Sequence, residues 1–265
     1  NTMRTEFAVL TGLADDVLGL DRLNPYFRFA RAPVTSLAWT LRGAGYVALP
    51  LAFALPPITN AQDAPETFET AAGRVRLEPA VTGLDHPWSM AFLPGGSMLV
   101  SERQGRLRTV SQGRLGGEVA GLPAVAAVGQ GGLLDVALHP NFAENRLVYF
   151  SFAEPRDGGN GTSVARGRLA EDLSRLDGVE IIFRQQPAHD GDHHFGSRLV
   201  FDRSGNLFVT LGDRDDLREL VQDGQTFIGK IVRVTETGGV PADNPRVQGW
   251  LPEIWSMGHR NVQGA

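Results

Sequence analysis

The sequence contains no cysteine, and this absence excludes disulfides, thiolate metal sites and a cysteine nucleophile. Basic residues are outnumbered as well: 25 Lys and Arg stand against 30 Asp and Glu, for a formal net charge of −5. Because nucleic-acid-binding proteins usually present a basic face, we expect no nucleic-acid partner. Length and apolar content are not lacking. The 265 residues, 42% of them hydrophobic, are enough for one large domain with a substantial core.

A long apolar run that could cross a membrane is also missing. The run from Gly45 to Pro57 is short and interrupted by prolines, so we expect no stable membrane span. Arg42 before it and Thr59-Asn60-Ala61 after it complete the pattern of a secretory signal peptide. We therefore predict that residues 1–61 are an N-terminal extension and signal peptide, cleaved near 61/62, and that the protein is periplasmic. The alternative is an ordinary N-terminal segment or a buried helix. The signal begins late, which leaves open whether residues 1–33 are translated.

Helix patterns are sparse after residue 62, where only Asp215–Gln222 suggests one or two turns. Short apolar runs separated by turn residues dominate instead, as in antiparallel hairpins. The same strand-turn-strand shape recurs in three copies that begin near residues 87, 132 and 197. One antiparallel sheet per repeat, at intervals of about 40–60 residues, is typical of a β-propeller. A β-sandwich is the alternative, but it does not explain the repetition.

The length of the repeating region bears on how many blades it holds. At about 40–50 residues per blade, residues 62–265 would form about four blades of an incomplete propeller domain. No closing strand is evident at Asn261–Ala265, and an open propeller leaves sheet edges exposed. We therefore expect the chain to be a fragment of a longer protein.

The pair His193-His194 lies directly before the third copy of the hairpin. An imidazole at the mouth of a rigid β element suits proton transfer, because its unperturbed pKa of about 6.5 lies near neutrality. Two other interpretations remain open. The histidines and aspartates between His189 and His193 could bind zinc or another divalent ion, or His194 could be a surface-loop residue. Further along, Asp213 could orient a loop near the site, and we expect the charged run Arg214–Glu219 to be a solvated face.

Three motifs in order resemble one family of enzymes. They are Gly129–Phe142, His194–Leu199, and Pro241–Pro245 followed by Glu253–Gly264. From about Leu84 to the last residue the chain resembles the soluble sugar dehydrogenases that depend on pyrroloquinoline quinone (PQQ), the glucose/sorbosone dehydrogenase type. Its similarity is greatest to the bacterial aldose sugar dehydrogenase branch.

The resemblance implies a six-bladed propeller of four-stranded antiparallel blades, of which this chain would hold about the first four. PQQ would lie in a basin on one face, and His194 would take the proton of an aldose's anomeric hydroxyl. Gln130 matches a glutamine beside cofactor and substrate, and Arg260 and Asn261 match a pair that contacts the quinone oxygens. The family's Ca²⁺ ligands would lie beyond Ala265, so none is assigned. Electrons would pass to a quinone or a small redox protein.

The chain departs from the family at one important position. Glucose-oxidising members carry an aspartate directly before the catalytic histidine, where this chain has His193. Asp190 or Asp192 could orient the base instead, or no residue does. Two other functions stay open on the residues alone. They are a propeller lactonase in which a divalent ion activates water, and a non-catalytic secreted propeller that binds a partner.

Overall fold

The computed structural model describes residues 7–10, 66–71 and 73–265. The predicted extension and signal peptide, and the predicted cleavage position, lie outside the described residues except for strand β1, Phe7–Leu10. The described residues fall into two compact units, of which 79–265 belong to the first and 66–78 to the second. Strands β2 (Glu66–Thr70) and β3 (Gly73–Val81) form an antiparallel hairpin. With β1 they make a three-stranded sheet in the order β1-β3-β2.

Residues 87–257 fold into three four-stranded antiparallel sheets, each of which follows chain order. Blade 1 contains β4 Pro87–Phe92, β5 Met98–Glu102, β6 Arg106–Ser111 and β7 Arg114–Glu118. Blade 2 contains β8 Leu133–Leu138, β9 Leu147–Arg156, β10 Gly159–Leu169 and β11 Leu176–Arg184. Blade 3 contains β12 Gly196–Phe201, β13 Leu207–Leu211, β14 Lys230–Val234 and β15 Ile254–Met257. The predicted all-β class and the three predicted copies are confirmed.

The described residues contain three complete four-stranded blades where the length predicted about four. Long connections account for the difference: 212–229 joins β13 to β14, and 235–253 joins β14 to β15. The first connection includes a 3-10 turn, Arg218–Gln222, which confirms the predicted helical turn. A single helical turn, α1 at Phe142–Asn145, joins β8 to β9. The six-bladed count of the family stays a prediction for this protein.

Apolar side chains of neighbouring blades meet in two main clusters. Leu99, Leu107, Leu133 and Phe150 are fully or almost fully buried between blades 1 and 2. A second cluster, between blades 2 and 3, includes Tyr149 and has the buried side chains of Val164, Leu207, Val209 and Val232. The buried apolar side chains of facing sheets therefore pack against each other between neighbouring blades.

The first strand of each blade, which we call the inner strand, departs at one point from regular pairing with the second strand. The irregularity falls between Pro87 and Ser89 in β4, between Leu133 and Val136 in β8, and between Gly196 and Leu199 in β12. A β-bulge leaves a backbone group without its ladder partner, and a buried group of this kind must be satisfied in another way. In this chain a hydroxyl on the second strand of the blade provides that partner.

The hydroxyl device is the same in all three blades, and we call it the hydroxyl latch. In blade 2, the buried Ser151 Oγ accepts a hydrogen bond from the Asp135 backbone N–H (2.9 Å) and donates to the Ser197 carbonyl of blade 3 (2.7 Å). Four further bonds complete the three latches: Ser89 N to Ser101 Oγ, Ser101 Oγ to Leu134 O, Arg198 N to Thr210 Oγ1, and Thr210 Oγ1 to Val262 O. Each latch therefore satisfies the bulge of one blade and ties that blade to the segment that follows it.

A buried carboxylate strengthens the contact among the three inner strands. Asp135 Oδ1 accepts from Ser89 Oγ (2.5 Å) and from Arg198 Nη1 (2.9 Å), and Oδ2 accepts from the Leu199 N–H (2.7 Å). Burial raises the pKa of the Asp135 carboxyl, whereas these contacts act in the opposite direction. Ser89, Asp135 and Arg198 thus join β4, β8 and β12 side by side.

The latch makes a test of interblade stability possible. Ser151→Ala leaves the Asp135 N–H and the Ser197 carbonyl without their partner, and an unsatisfied buried group costs about 1–3 kcal/mol. We expect the free energy of unfolding to fall by about that amount, measured by denaturant titration. Ser111→Ala is the control, since its exposed hydroxyl bonds only Ser97 Oγ, and we expect a change within about 0.5 kcal/mol. An equal loss in both variants would contradict the latch.

Candidate functional site

The predicted base lies at one end of blade 3, where β12 and β14 begin and β13 and β15 end. His194 occupies the connection just before β12, and its Nδ1 lies 2.7 Å from Asp213 Oδ1 in the loop after β13. The two side chains are only 7% and 6% exposed. Asp215 Oδ1 lies 3.6 Å from the same Nδ1, and the Asp215 N–H donates to Asp213 Oδ1. The imidazole is therefore oriented by a buried carboxylate.

Amide side chains fix the backbone on both sides of the histidine. The His194 N–H donates to Gln130 Oε1 at 3.0 Å, and the Gly196 N–H donates to Asn261 Oδ1 at 2.9 Å. His194 has a φ of 48°, a left-handed conformation that non-glycine residues adopt only when their surroundings impose it. The oxygen atoms of Gln130 and Asn261 therefore help to hold a strained backbone.

The four predicted site residues converge on this place, and the structure links each of them to the histidine segment. Arg260 is connected through its carbonyl oxygen, which accepts from the Asp213 N–H at 2.8 Å. Among the described residues, the Arg260 guanidinium, the Nδ2 of Asn261, the Nε2 of Gln130 and the Nε2 of His194 have no hydrogen-bonding partner. The guanidinium and the two amide groups are donors that could bind a ligand rich in oxygen acceptors, and Nε2 is available to exchange a proton.

The close packing around His194 requires a glycine in the neighbouring strand end. Gly212 lies so near the His194 backbone that a Cβ at this position would overlap the His194 carbonyl group. The Gly212 carbonyl itself accepts from Gln185 Nε2 (3.1 Å) and from the Gly229 N–H (3.0 Å). The absence of a side chain at Gly212 thus allows β13 to approach the histidine segment.

The group that orients the base is not the one expected from the neighbouring sequence. Asp192 pairs with Nδ1 of His193, and its carbonyl accepts from the Gln130 N–H, whereas Asp190 makes no contact with the His194 ring. Asp213, which the sequence placed only near the site, makes the ring contact. Because it is 19 residues away along the chain, spacing carried no signal for this pairing. The hairpin alignment, which brings the end of β13 beside the start of β12, could have supplied one.

The expectation that Arg214–Glu219 forms a solvated face is wrong at its first residue. The Arg214 side chain is 1% exposed, and its guanidinium lies 4.0 Å from the Phe195 ring centroid. The pKa of Arg214 is lowered to about 10, chiefly by burial and also by the nearby Arg156 charge, while the Asp192 charge acts in the opposite direction. A run of charges in sequence cannot show that one member turns inward, because that depends on the backbone turn at 214–215.

The Pro241–Pro245 part of the third motif lies at the opposite end of blade 3 from His194. Asn244 Nδ2 donates to the Arg233 carbonyl (2.9 Å) and to the Pro252 carbonyl (3.1 Å). Arg233 forms ion pairs with Asp202 (2.8 Å) and Asp243 (2.7 Å). These contacts close the loop between β14 and β15, so this part of the motif maintains the fold, whereas Arg260 and Asn261 belong to the site.

The histidines and aspartates of the alternative zinc site make pairwise contacts with one another and with Asp216. His189 Nε2 lies 3.5 Å from Asp216 Oδ2, while His193 pairs with Asp192. Within residues 66–71 and 73–265, no three His, Asp or Glu side chains are arranged to hold a metal ion.

The same part of the chain contains no helix that is long and apolar enough to cross a membrane.

The three blades define a β-propeller protein, and a buried histidine–aspartate pair lies at the end of one of them. The chain belongs to the glucose/sorbosone dehydrogenase family, whose model matches residues 84–265. It is 45% identical over 199 residues to the aldose sugar dehydrogenase YliI of Escherichia coli K12, an alignment that covers 73% of this chain and 53% of that protein.

Solved structures agree with the assignment to this family. The apo form of the soluble aldose sugar dehydrogenase of Escherichia coli superposes with a TM-score of 0.65 at 46% identity, over 67% of this chain and 52% of that one. The PQQ-bound aldose sugar dehydrogenase of Streptomyces coelicolor gives 0.61 at 33% identity, over 69% and 53% of the two chains. This chain therefore spans about half the length of these relatives.

The Gly212 contact gives a prediction about the site's packing. In Gly212→Ala the new methyl group would overlap the His194 carbonyl, and overpacking of this kind costs about 1–3 kcal/mol. We expect that loss in the free energy of unfolding, measured by denaturant titration. The matched control is Gly117→Ala on β7, where a Cβ would meet nothing within 4 Å. If Gly212→Ala were as stable as the control, the close approach would be refuted.

Proposed function

We propose that the protein is a quinoprotein that oxidises the anomeric hydroxyl of aldose sugars, giving the lactone, with PQQ as hydride acceptor. One observation carries the proposal: a buried Asp213 carboxylate holds Nδ1 of His194 at 2.7 Å, while Nε2 has no protein partner among residues 66–71 and 73–265. Membership of the glucose/sorbosone dehydrogenase family supports it, as does the PQQ-bound structure of the Streptomyces coelicolor relative.

The hydrogen bond to Asp213 determines which nitrogen of His194 acts as the base. With its proton on Nδ1 and donated to the carboxylate, the neutral ring has the Nε2 lone pair available for a substrate proton. Nε2 would take the proton of the anomeric hydroxyl while the C1 hydride passes to the quinone ring that PQQ supplies when bound, so that the C1–O bond becomes a carbonyl. The Asp213 carboxylate then stabilises the imidazolium that forms, as carboxylates do in other acid–base pairs.

The donors around His194 fit the proposed cofactor. PQQ presents quinone oxygens and carboxylates, and when bound it supplies the electron-poor ring that accepts a hydride. Arg260 and the amide of Asn261 would hold the quinone oxygens, where a guanidinium stabilises developing negative charge. Gln130 would lie beside cofactor and sugar, because its Oε1 already bonds the His194 N–H and its Nε2 remains available. Water exclusion and orientation by these residues are the protein's contribution.

Three further parts of the proposal rest on the sequence and on the family. We propose Ca²⁺ as the ion that accompanies PQQ, with no ligand assigned to a residue of this chain. We also propose secretion to the periplasm through the signal peptide within residues 1–61. A quinone or a small redox protein would then reoxidise the cofactor.

The activity is tested with the protein assembled with PQQ and calcium, followed by aldose-dependent reduction of an artificial electron acceptor. We expect activity in the wild type and none above background in His194→Ala. No activity in the wild type, or an active alanine variant, would refute the proposal. Hydrolysis of a lactone without added quinone would instead support a metal-dependent lactonase. Binding of a sugar without turnover would support a non-catalytic module.

Asp213→Asn tests how the base is oriented. The neutral amide carries no charge to stabilise an imidazolium, and its NH2 group can donate to Nδ1 and so favour the wrong tautomer. An equivalent change in a serine protease lowers kcat by about 10⁴-fold. We expect kcat to fall by about 10²–10⁴-fold while PQQ affinity stays within about twofold. Asp216→Asn is the control, because its exposed carboxylate lies in the same loop and only approaches His189. The two variants must differ in kcat for the assignment of Asp213 to stand.

A further inference from the structure

Arg214 combines four features that a solvated loop residue would not have. It is buried, it follows Asp213 directly, it adopts a left-handed backbone conformation, and it makes no ion pair with a carboxylate in the part of the chain that the structure describes. Burying a charge without an opposite charge is unfavourable unless hydrogen bonds compensate for the lost hydration. Its contacts show where that compensation comes from.

All four hydrogen bonds of the guanidinium go to oxygen atoms around the histidine segment. Nε donates to the His193 carbonyl (3.0 Å), and Nη2 donates to the Gly191 carbonyl (2.6 Å). Asn160 of β10 supplies the other two acceptors, its carbonyl to Nη1 (3.2 Å) and its Oδ1 to Nη2 (2.8 Å). The planar group also lies on the Phe195 ring. Arg214 thus touches the chain on either side of His194 and joins it to blade 2.

The backbone conformation at this position indicates that the arginine is present for the contacts of its side chain and not for the shape of the turn. Arg214 and Asp215 have φ values of 60° and 62°, where glycine is favoured and other residues are strained. A turn alone would be built more easily with glycine. Hydrogen bonds to the residues around His194 hold the strained arginine in place. The position of the histidine segment therefore depends on the same turn that carries Asp213.

We propose that Arg214 is a positioning residue for His194, which fixes the peptide before the histidine while the adjacent Asp213 fixes the ring. The inference rests on the proposed function, since it gives His194 the role of the base. Two consecutive residues of one loop would then set both the position and the tautomer of a single imidazole. Because its side chain is buried and its four hydrogen bonds all go to protein oxygens, Arg214 would act through the histidine segment.

The variants Arg214→Met and Arg214→Lys separate positioning from charge. Methionine fills the space without donors, whereas an ammonium retains the charge but cannot span the carbonyls of Gly191 and His193 together with Asn160. The control is Arg233→Met, which removes an equally buried guanidinium from the far end of the same blade, where it pairs with Asp202 and Asp243. Both methionine variants should lower the melting temperature.

Only the Arg214 variants should affect turnover. In the holoprotein we expect kcat to fall by about 10²-fold in Arg214→Met and by about tenfold in Arg214→Lys, since a displacement near 1 Å can cost about 10²-fold. KM for the aldose and the affinity for PQQ should stay within about threefold. A fall in kcat of the same size in Arg233→Met would overturn the proposal, because general loosening of the blade would then explain it.

A second readout is independent of turnover. In the protein without cofactor, ¹⁵N-histidine NMR reports the hydrogen-bonded Nδ1 proton of His194, assigned by its loss in His194→Gln. We expect this signal to broaden or shift in both Arg214 variants and to remain in Arg233→Met. An unchanged signal in Arg214→Lys overturns the inference, and that variant decides the outcome if Arg214→Met does not fold. Should the wild type lack dehydrogenase activity, the proposed function fails while this readout still tests the positioning.

Discussion

The packing of the propeller blades depends on the hydrogen bonds that satisfy the bulge in the inner strand of each blade. A bulge there frees one backbone N–H, and the hydroxyl of Ser101, Ser151 or Thr210 satisfies that group while it donates to a carbonyl of the following segment. The need to satisfy a buried donor is thus converted into a bond between neighbours. Apolar packing alone has no direction, whereas these hydroxyls specify the register in which each blade meets the next.

The candidate site is a consequence of the same device. Thr210 donates to the Val262 carbonyl. One residue earlier Asn261 Oδ1 accepts from the Gly196 N–H, and two residues earlier the Arg260 carbonyl accepts from the Asp213 N–H. The segment 260–262 is therefore held against blade 3 by contacts that begin with a structural hydroxyl. The residues whose side chains could bind a ligand are therefore adjacent in the chain to residues that hold the blades together.

The sequence predicted a large part of this structure, and its failures have physical causes. Strand-turn-strand repetition located the three blades, because alternation and turn residues are local properties of the chain. The motifs that resemble the family predicted one shared site for four residues, and the structure places these residues together: His194, Gln130, Arg260 and Asn261. The partner of His194 was missed, since Asp213 approaches it only through the pairing of two strand ends. The burial of Arg214 was missed because two left-handed residues turn its side chain inward.

The contrast between Arg214 and Arg233 shows what decides the use of a buried guanidinium. Arg233 is neutralised by Asp202 and Asp243, so its bonds close a loop and its charge is balanced locally. Arg214 donates instead to neutral oxygens, and the carboxylate that precedes it, Asp213, bonds the His194 ring. A guanidinium paired with Asp213 would offset part of the attraction between that carboxylate and an imidazolium. Keeping the arginine on carbonyls therefore leaves the full charge of Asp213 to the histidine.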